Sequence, residues 1–432
     1  MESHRILDMI SSPADLKLLT NEELSILASE IREQIITTTS KTGGHVAPSL
    51  GVVELILACH SVLDCPHDKL LFDVGHQSYA HKLVTGRLGE FDTLRQFGGM
   101  SGFPKASESE YDVHPSGHAS DSVSVALGLA MARDLNGGDE KIVTIIGDAS
   151  LSGGMAFEAL NQLGQLQTPM VIILNDNEMS ISRNVGALAR YLGEKRASRE
   201  YTRTRDSVQS VLEASGPLGR GLVDLGRNAK DSFKQMVIPG EMLFEKLGIT
   251  CTAPIPGHDI AALKRALRVC LEADGPTLLH VVTKKGKGYE PAEKNPSKFH
   301  GIGPYDIATG EVKKGSSSAP KYTSVFSKAI VAEAERDHDI VAITAAMKDG
   351  TGLAAFSEKF PKRFIDTGIA EEHAVALASG LALGGKKPVV CIYSTFMQRA
   401  FDQLVINNAL ANANVVFCLD RAGLVGDDGP TH

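Results

Sequence analysis

Residues 142–163 read IVTIIGDASLSGGMAFEALNQL, and residues 170–177 read MVIILNDN. Ile142 to Ile146 is an unbroken apolar and β-branched run, a Gly and Ser rich turn follows, Phe157 to Leu163 carries helical spacing, and Met170 to Leu174 is a second apolar run. Strand, helix and strand in that order make a βαβ unit, which predicts a parallel sheet covered on both faces. The polar residues fall just past the strands. Gly147-Asp148-Ala149-Ser150 follows the first, and Asn175-Asp176-Asn177 closes the second. Both groups therefore sit at the carboxyl edge, where open parallel sheets bind ligands. A helix opening after Gly153-Gly154 would direct backbone N–H groups toward a phosphate. Asp148 and Asn177 offer a carboxylate and an amide oxygen, the hard ligands that Mg²⁺ accepts when diphosphate oxygens complete its shell. The same residues also read as a helix cap and a turn.

Upstream, Thr20 and Glu23 form a capping box ahead of Leu24, Leu27, Ile31 and Ile35, and Gly43-Gly44 ends that helix. Downstream, a helix is expected near Ile260 to Leu271 and a strand at Leu278 to Val282. Between them, at about 194–240, Arg, Ser, Gly and Lys dominate without apolar period, which reads as a mobile insertion, either a cover for a site or a variable loop. Residues 284–320 are rich in Gly, Lys, Pro and Ser and read as a linker. A second α/β pattern follows, with strands expected at Ile340 to Thr344, Val389 to Tyr393 and Val415 to Leu419. The division is a first α/β domain at 1–283, the linker, and a second at 321–432. His432 follows a Gly-Asp-Asp-Gly-Pro loop directly after a strand, so the second domain is expected to be incomplete, without the helices that would cover its sheet.

The 432 residues include 43% hydrophobic and 22% charged residues with 42 Gly, the balance of a soluble globular protein. A net charge of −8 gives no field for a nucleic-acid backbone or an acidic membrane, so small-molecule work is expected, with no nucleic acid and no membrane as partner. Six cysteines without CxxC spacing signal neither zinc nor a disulfide framework and fit a reducing cytoplasm. No stretch reaches the ~18 uncharged apolar residues of a membrane span.

Three Gly-flanked histidines, His45, His76 and His118, fall in the first half, and histidines gathered in loops point to a site rather than to a core. In the second half, Ile369-Ala370-Glu371-Glu372-His373 opens a helix rich in small residues. A carboxylate there either takes part in chemistry or simply favours the positive helix end.

Gly147-Asp148 with Asn177 placed 29 positions after the Asp resembles the thiamine-diphosphate motif of the transketolase superfamily, with Ala149 where the motif has a third Gly. Longer strings resemble the 1-deoxy-D-xylulose-5-phosphate synthase family within it. They are KTGGHVAPSLG at 41–51, FDVGHQSYAHK at 72–82, GGMSGFPK at 98–105, NDNEMSIS at 175–182, TKKGKGY at 283–289, YSTFMQR at 393–399 and DRAGLVGDDGPTH at 420–432. The resemblance spans nearly the whole chain and implies two thiamine-diphosphate-binding α/β modules with mainly parallel sheets flanked by helices, the second incomplete and a third domain absent.

It further implies a cytoplasmic homodimer that condenses pyruvate with D-glyceraldehyde 3-phosphate, releasing CO₂ and 1-deoxy-D-xylulose 5-phosphate for isoprenoid, thiamine and pyridoxal synthesis. By the same resemblance Asp148, Asn177 and the main-chain carbonyl of Met179 hold Mg²⁺. His76, Gly117, His118, Ala119, Ala149, Ser150, Tyr289 and Phe396 line thiamine diphosphate, and Glu371 hydrogen-bonds its aminopyrimidine ring. His45, His300 and His432 handle protons or contact substrate, and Tyr393, Arg399, Arg421 and Asp428 stand on the substrate side. Competing readings are a transketolase, the E1 component of a 2-oxo acid dehydrogenase, or a truncated chain that binds cofactor without turnover.

Overall fold

The computed structural model describes residues 5–177, 179, 185–197, 243–313, 319–424, 426 and 428–432. The insertion expected at about 194–240 lies, beyond its first few residues, outside the described residues. Two compact units are formed, one from Met1–Met179, Tyr191–Lys313 and Asp427–Gly429, the other from Ser180–Arg190, Lys314–Gly426 and Pro430–His432.

In the first unit, β1 (Lys69–Phe72), β2 (Ile142–Gly147), β3 (Val171–Asp176), β4 (Thr250–Cys251), β5 (Ile255–Pro256) and β6 (Thr277–Val282) form one sheet in the order β1-β2-β3-β6-β4, with β5 also on β6. Every pairing in it is parallel. The unbroken apolar runs are thus explained, because all six residues of β3 are buried and no face of it is left to be polar. Gly147 lies directly beside Asn175, so Asp148 and Asn177 leave the same edge of neighbouring strands.

Helix α1 (Asn21–Thr42) starts at the expected capping box, with the Thr20 N–H donating to Glu23 at 2.8 Å and the Glu23 N–H donating to Thr20 at 3.2 Å. Its stripe Leu24, Leu27, Ile31 and Ile35 is wholly buried, each side chain contributing about 1.5–3 kcal/mol relative to exposure. Gly43 ends it at φ 73°, and a Cβ there would meet the Ile302 carbonyl at 2.6 Å.

That close approach corrects one expectation. Residues 284–313 do not behave as linker: they belong to the first unit, carry a helix at Glu290–Lys294, and bury Phe299, Ile302 and Tyr305 in its core. The Ile302 N–H donates to Gly44 and the Gly44 N–H donates back.

In the second unit, β7 (Ile340–Thr344), β8 (Phe364–Asp366), β9 (Lys387–Tyr393) and β10 (Val416–Asp420) form an all-parallel sheet in the order β10-β9-β7-β8. The helix Glu371–Leu383 packs Ala374, Val375 and Ala378 into its core, small residues that let helix and sheet approach closely. Among the described residues no helix is long and apolar enough to cross a membrane.

Candidate functional site

Asp148 leaves β2 into a turn, almost closed to solvent, with its Oδ1 accepting the Ala149 N–H at 3.1 Å. It caps neither the short 3-10 turn Ser150–Ser152, whose cap is Ala149, nor the α-helix that begins at Gly154 after Gly153. Asn177 does make a turn, Oδ1 accepting the Met179 N–H at 3.1 Å, and an amide oxygen has a second lone pair for another partner. A buried carboxylate and an amide oxygen at adjacent strand ends fit a hard dication. Ala149 has φ −70° and ψ −43°, ordinary right-handed geometry, so its methyl group brings no backbone strain.

Three imidazoles gather in the same unit. The ring centroids of His45 and His76 lie 5.8 Å apart, and His300 stands 6.1 Å from the first and 5.0 Å from the second. Phe103 packs on His45 at 5.2 Å, and the Tyr79 hydroxyl accepts the His45 N–H at 3.0 Å. His300 comes from the stretch expected to be linker.

Lys285, also from that stretch, places Nζ 3.0 Å from His300 Nδ1. Burial pushes its amine down to about 7, with the nearby Asp148 charge opposing the shift. Burial, and then the Lys285 charge, likewise hold His300 well below the usual imidazole range. Neither sequence pattern nor family assignment had picked out Lys285. Its signal was present in TKKGKGY, a lysine in a Gly-flanked loop leaving β6 at the edge that carries Asp148. Of the other first-unit residues, Gly117 sits at φ 151°, and the Ser150 carbonyl accepts from Ser120 Oγ at 2.7 Å. Tyr289 turns into the core against Phe299, its hydroxyl donating to the Ile307 carbonyl at 2.7 Å. Asp428 is placed with this unit, its Oδ1 held by Arg95 at 3.0 Å.

In the second unit Glu371 opens its helix yet is only 3% exposed, so the helix end alone does not explain it. Its Oε2 has no hydrogen bond among the described residues and lies 3.8 Å from Arg399. Burial raises its carboxyl to about 7, the Arg399 charge opposing. A buried, under-bonded carboxylate at the head of a helix fits a ligand that brings its own hydrogen-bonding nitrogen. Near the end of β9, the Arg421 guanidinium lies 4.1 Å over the Tyr393 ring, Phe396 stacks on Tyr393 at 6.0 Å, and His432 meets Phe396 at 5.4 Å.

An Asp/Asn pair past adjacent parallel strands in one unit, and a buried glutamate opening a helix in another, is the layout of a thiamine-diphosphate-dependent transferase of the transketolase superfamily. Residues 318–432 match the transketolase pyrimidine binding domain. Residues 7–283 match 1-deoxy-D-xylulose-5-phosphate synthase, and the chain belongs to that family. The synthase of Desulforudis audaxviator (strain MP104C) is 54% identical over 427 residues, which cover 99% of this chain and 67% of that protein. Those of Pelotomaculum thermopropionicum and Syntrophotalea carbinolica are 53% and 54% identical, again across 99% of this chain and 67% of each. The chain thus spans about two thirds of the length of these relatives.

Proposed function

We propose that this chain carries the active site for condensing pyruvate with D-glyceraldehyde 3-phosphate to 1-deoxy-D-xylulose 5-phosphate and CO₂, with thiamine diphosphate and Mg²⁺. The observation that carries the reading is the family match over residues 7–283, and the geometry agrees with it. Asp148, Asn177 and the Met179 carbonyl would hold Mg²⁺. The turns at His76, Gly117–Ala119 and Ser150 would hold the diphosphate. Bound there, thiamine diphosphate supplies a carbon nucleophile and the electron sink that decarboxylation needs.

The chain's own residues do the rest. Lys285, its amine poised near 7, would be held in the charged form by any anionic group bound at this edge of the sheet and could help to hold the diphosphate there. Glu371, also near 7, takes or gives a proton at Oε2 within the physiological range, the match to working pH that general acid–base catalysis requires. His45 and His300 would exchange protons with substrate beside the cofactor turns, with His432 a third such group. Arg399 and Arg421 supply the guanidinium chemistry that a phosphorylated aldehyde and a carboxylate call for. A cytoplasmic homodimer belongs to the same reading.

The test is product formation from pyruvate and D-glyceraldehyde 3-phosphate with both cofactors, for the parent chain and Glu371→Ala. Product that disappears in the variant supports the reaction and the glutamate's part in it. Ketol transfer from sugar phosphates without CO₂ release would instead make the chain a transketolase. Cofactor binding with no turnover of either substrate set would leave a binding chain only.

A further inference from the structure

One buried carboxylate, used by none of these assignments, is tied to all three turns of the proposed diphosphate end. Asp73 follows β1 and is 1% exposed. Its two carboxylate oxygens accept the Ser120 N–H at 2.9 and 3.0 Å, and Oδ2 also accepts the Ser122 N–H at 3.2 Å. Its main-chain carbonyl accepts the Gly75 N–H at 2.6 Å and the Gln77 side-chain amide at 3.0 Å, fixing the turn on either side of His76. Ser120 Oγ, in turn, donates to the Ser150 carbonyl.

The backbone at these turns is strained. Ser120 has φ 76° and Val74 has φ 59°, the left-handed region that non-glycine residues seldom enter and β-branched ones least of all. Such conformations persist only where surrounding bonds over-determine them. The turns also press together: a Cβ on Gly75 would lie 2.0 Å from Ser116 Oγ, and one on Gly153 would lie 2.1 Å from Ser120 Oγ. Neither glycine has room for a methyl group.

We propose that Asp73 is a positioning residue for cofactor binding: its carboxylate pins Ser120 in the left-handed conformation and so sets the Gly117–Ala119 turn against the Ser150 turn. The inference rests on the function proposed above. It separates from a plain core role because glycine adopts positive φ without strain. With glycine at 120 the turn no longer depends on the carboxylate.

The experiment is calorimetric titration of thiamine diphosphate, with Mg²⁺ present, into the 432-residue chain as parent, Asp73→Asn, Ser120→Gly and the double variant, with amide hydrogen exchange at 117–122 followed in the cofactor-free chains. Ser120→Gly alone measures the loss of the Ser150 contact together with the relief of backbone strain at 120. Asp73→Asn is expected to weaken binding by roughly 10–100-fold in the parent, the usual range for a supporting residue behind a ligand shell. It is expected to weaken binding by under about threefold in the Ser120→Gly background, and to speed exchange at 117–122 only when Ser120 is present. Equal penalties in the two backgrounds, or none in either, overturn the inference. A parent that binds no thiamine diphosphate overturns the functional reading and the inference with it. Should Asp73→Asn not fold, Asp73→Glu, which keeps the charge but displaces the oxygens by one methylene, runs the same cycle with the same deciding outcomes.

Discussion

Glu54 and Glu371 are both helical and almost closed to solvent, at 8% and 3% exposure, one in each compact unit, and they are treated in opposite ways. Glu54 Oε2 receives Arg32 at 2.6 Å and His258 Nδ1 at 3.0 Å. Burial acts against its charge, but these bonds prevail and hold its carboxyl at about 2. Glu371 is as deeply buried and receives no hydrogen bond at Oε2 among the described residues, and its carboxyl rises to about 7. The first is a carboxylate completed by the protein. Arg32 also donates to the Lys287 carbonyl at 2.9 Å, and His258 Nε2 accepts the Lys284 N–H at 2.9 Å, so this cluster clamps the loop that carries Lys285. The second is a carboxylate left incomplete, which is how a fold keeps a group available for chemistry at some cost in stability.

Replacing each glutamate by glutamine tests that contrast directly. Glu371→Gln is expected to lower kcat by about 10²–10⁴-fold, the usual worth of a positioned acid–base group, with little loss of stability because Oε2 accepts no hydrogen bond from the described residues. Glu54→Gln leaves Arg32 buried without its counter-charge and is expected to cost about 3–5 kcal/mol of unfolding free energy. Initial rates and urea unfolding of both variants are the measurements. A Glu371→Gln enzyme of normal kcat would remove the distinction between the two residues.

Much of this was legible in the sequence, for reasons that differ by residue. The α1 capping box, β2 and β3 are local patterns whose side chains and hydrogen bonds lie within a few residues of one another. Glu371 was recognisable by its place at the head of a small-residue helix, although its burial was not, since that depends on the neighbours that close over it. The stretch from 284 to 313 was misread because Gly, Lys and Pro indicate a loop correctly but say nothing of whether the loop packs. Ile302 and Tyr305 are buried against the end of α1, more than 250 residues away, as in the 3.0 Å bond between the Thr39 and Tyr305 hydroxyls, and Phe299 packs on Tyr305. Lys285 was hidden by the same error. Strands as short as β1 and β8, of four and three residues, carry too little pattern to stand out before their partners are known.

Glycines at the ends of strands or in loops give a second contrast between the units. A Cβ on Gly350 would lie 1.6 Å from the Tyr393 hydroxyl oxygen, whereas a Cβ on Gly147 would meet nothing within 4 Å. Gly350→Ala must therefore displace the tyrosine under Arg421, at an overpacking cost of about 1–3 kcal/mol. It is expected to raise KM for substrate while the Kd for thiamine diphosphate stays unchanged. Gly147→Ala is expected to leave the unfolding midpoint unchanged. A Gly350→Ala enzyme with unaltered KM would show that Tyr393 takes no part on the substrate side.

The smallest effect expected is one of sign. Glu54 titrates near 2 in the folded chain instead of 4.5, so its contribution is fully present above pH 4.5 and is lost as pH falls toward 2. Glu371 titrates near 7, so between 4.5 and 7 the unfolded chain has released a proton that the folded chain still holds. Stability must then fall as pH rises through that window and level off above it, with a slope of at most ~1.4 kcal/mol per pH unit for one group. Unfolding followed from about pH 4.5 to 8 in the parent and in Glu371→Gln isolates this term, because glutamine does not titrate and every other group is common to both. The parent is expected to lose stability relative to the variant as pH rises to 7 and to run parallel to it beyond. A difference that stays constant, or a parent that gains stability relative to the variant as pH rises, would mean that Glu371 carries its charge in the folded chain at neutral pH and is a completed carboxylate like Glu54.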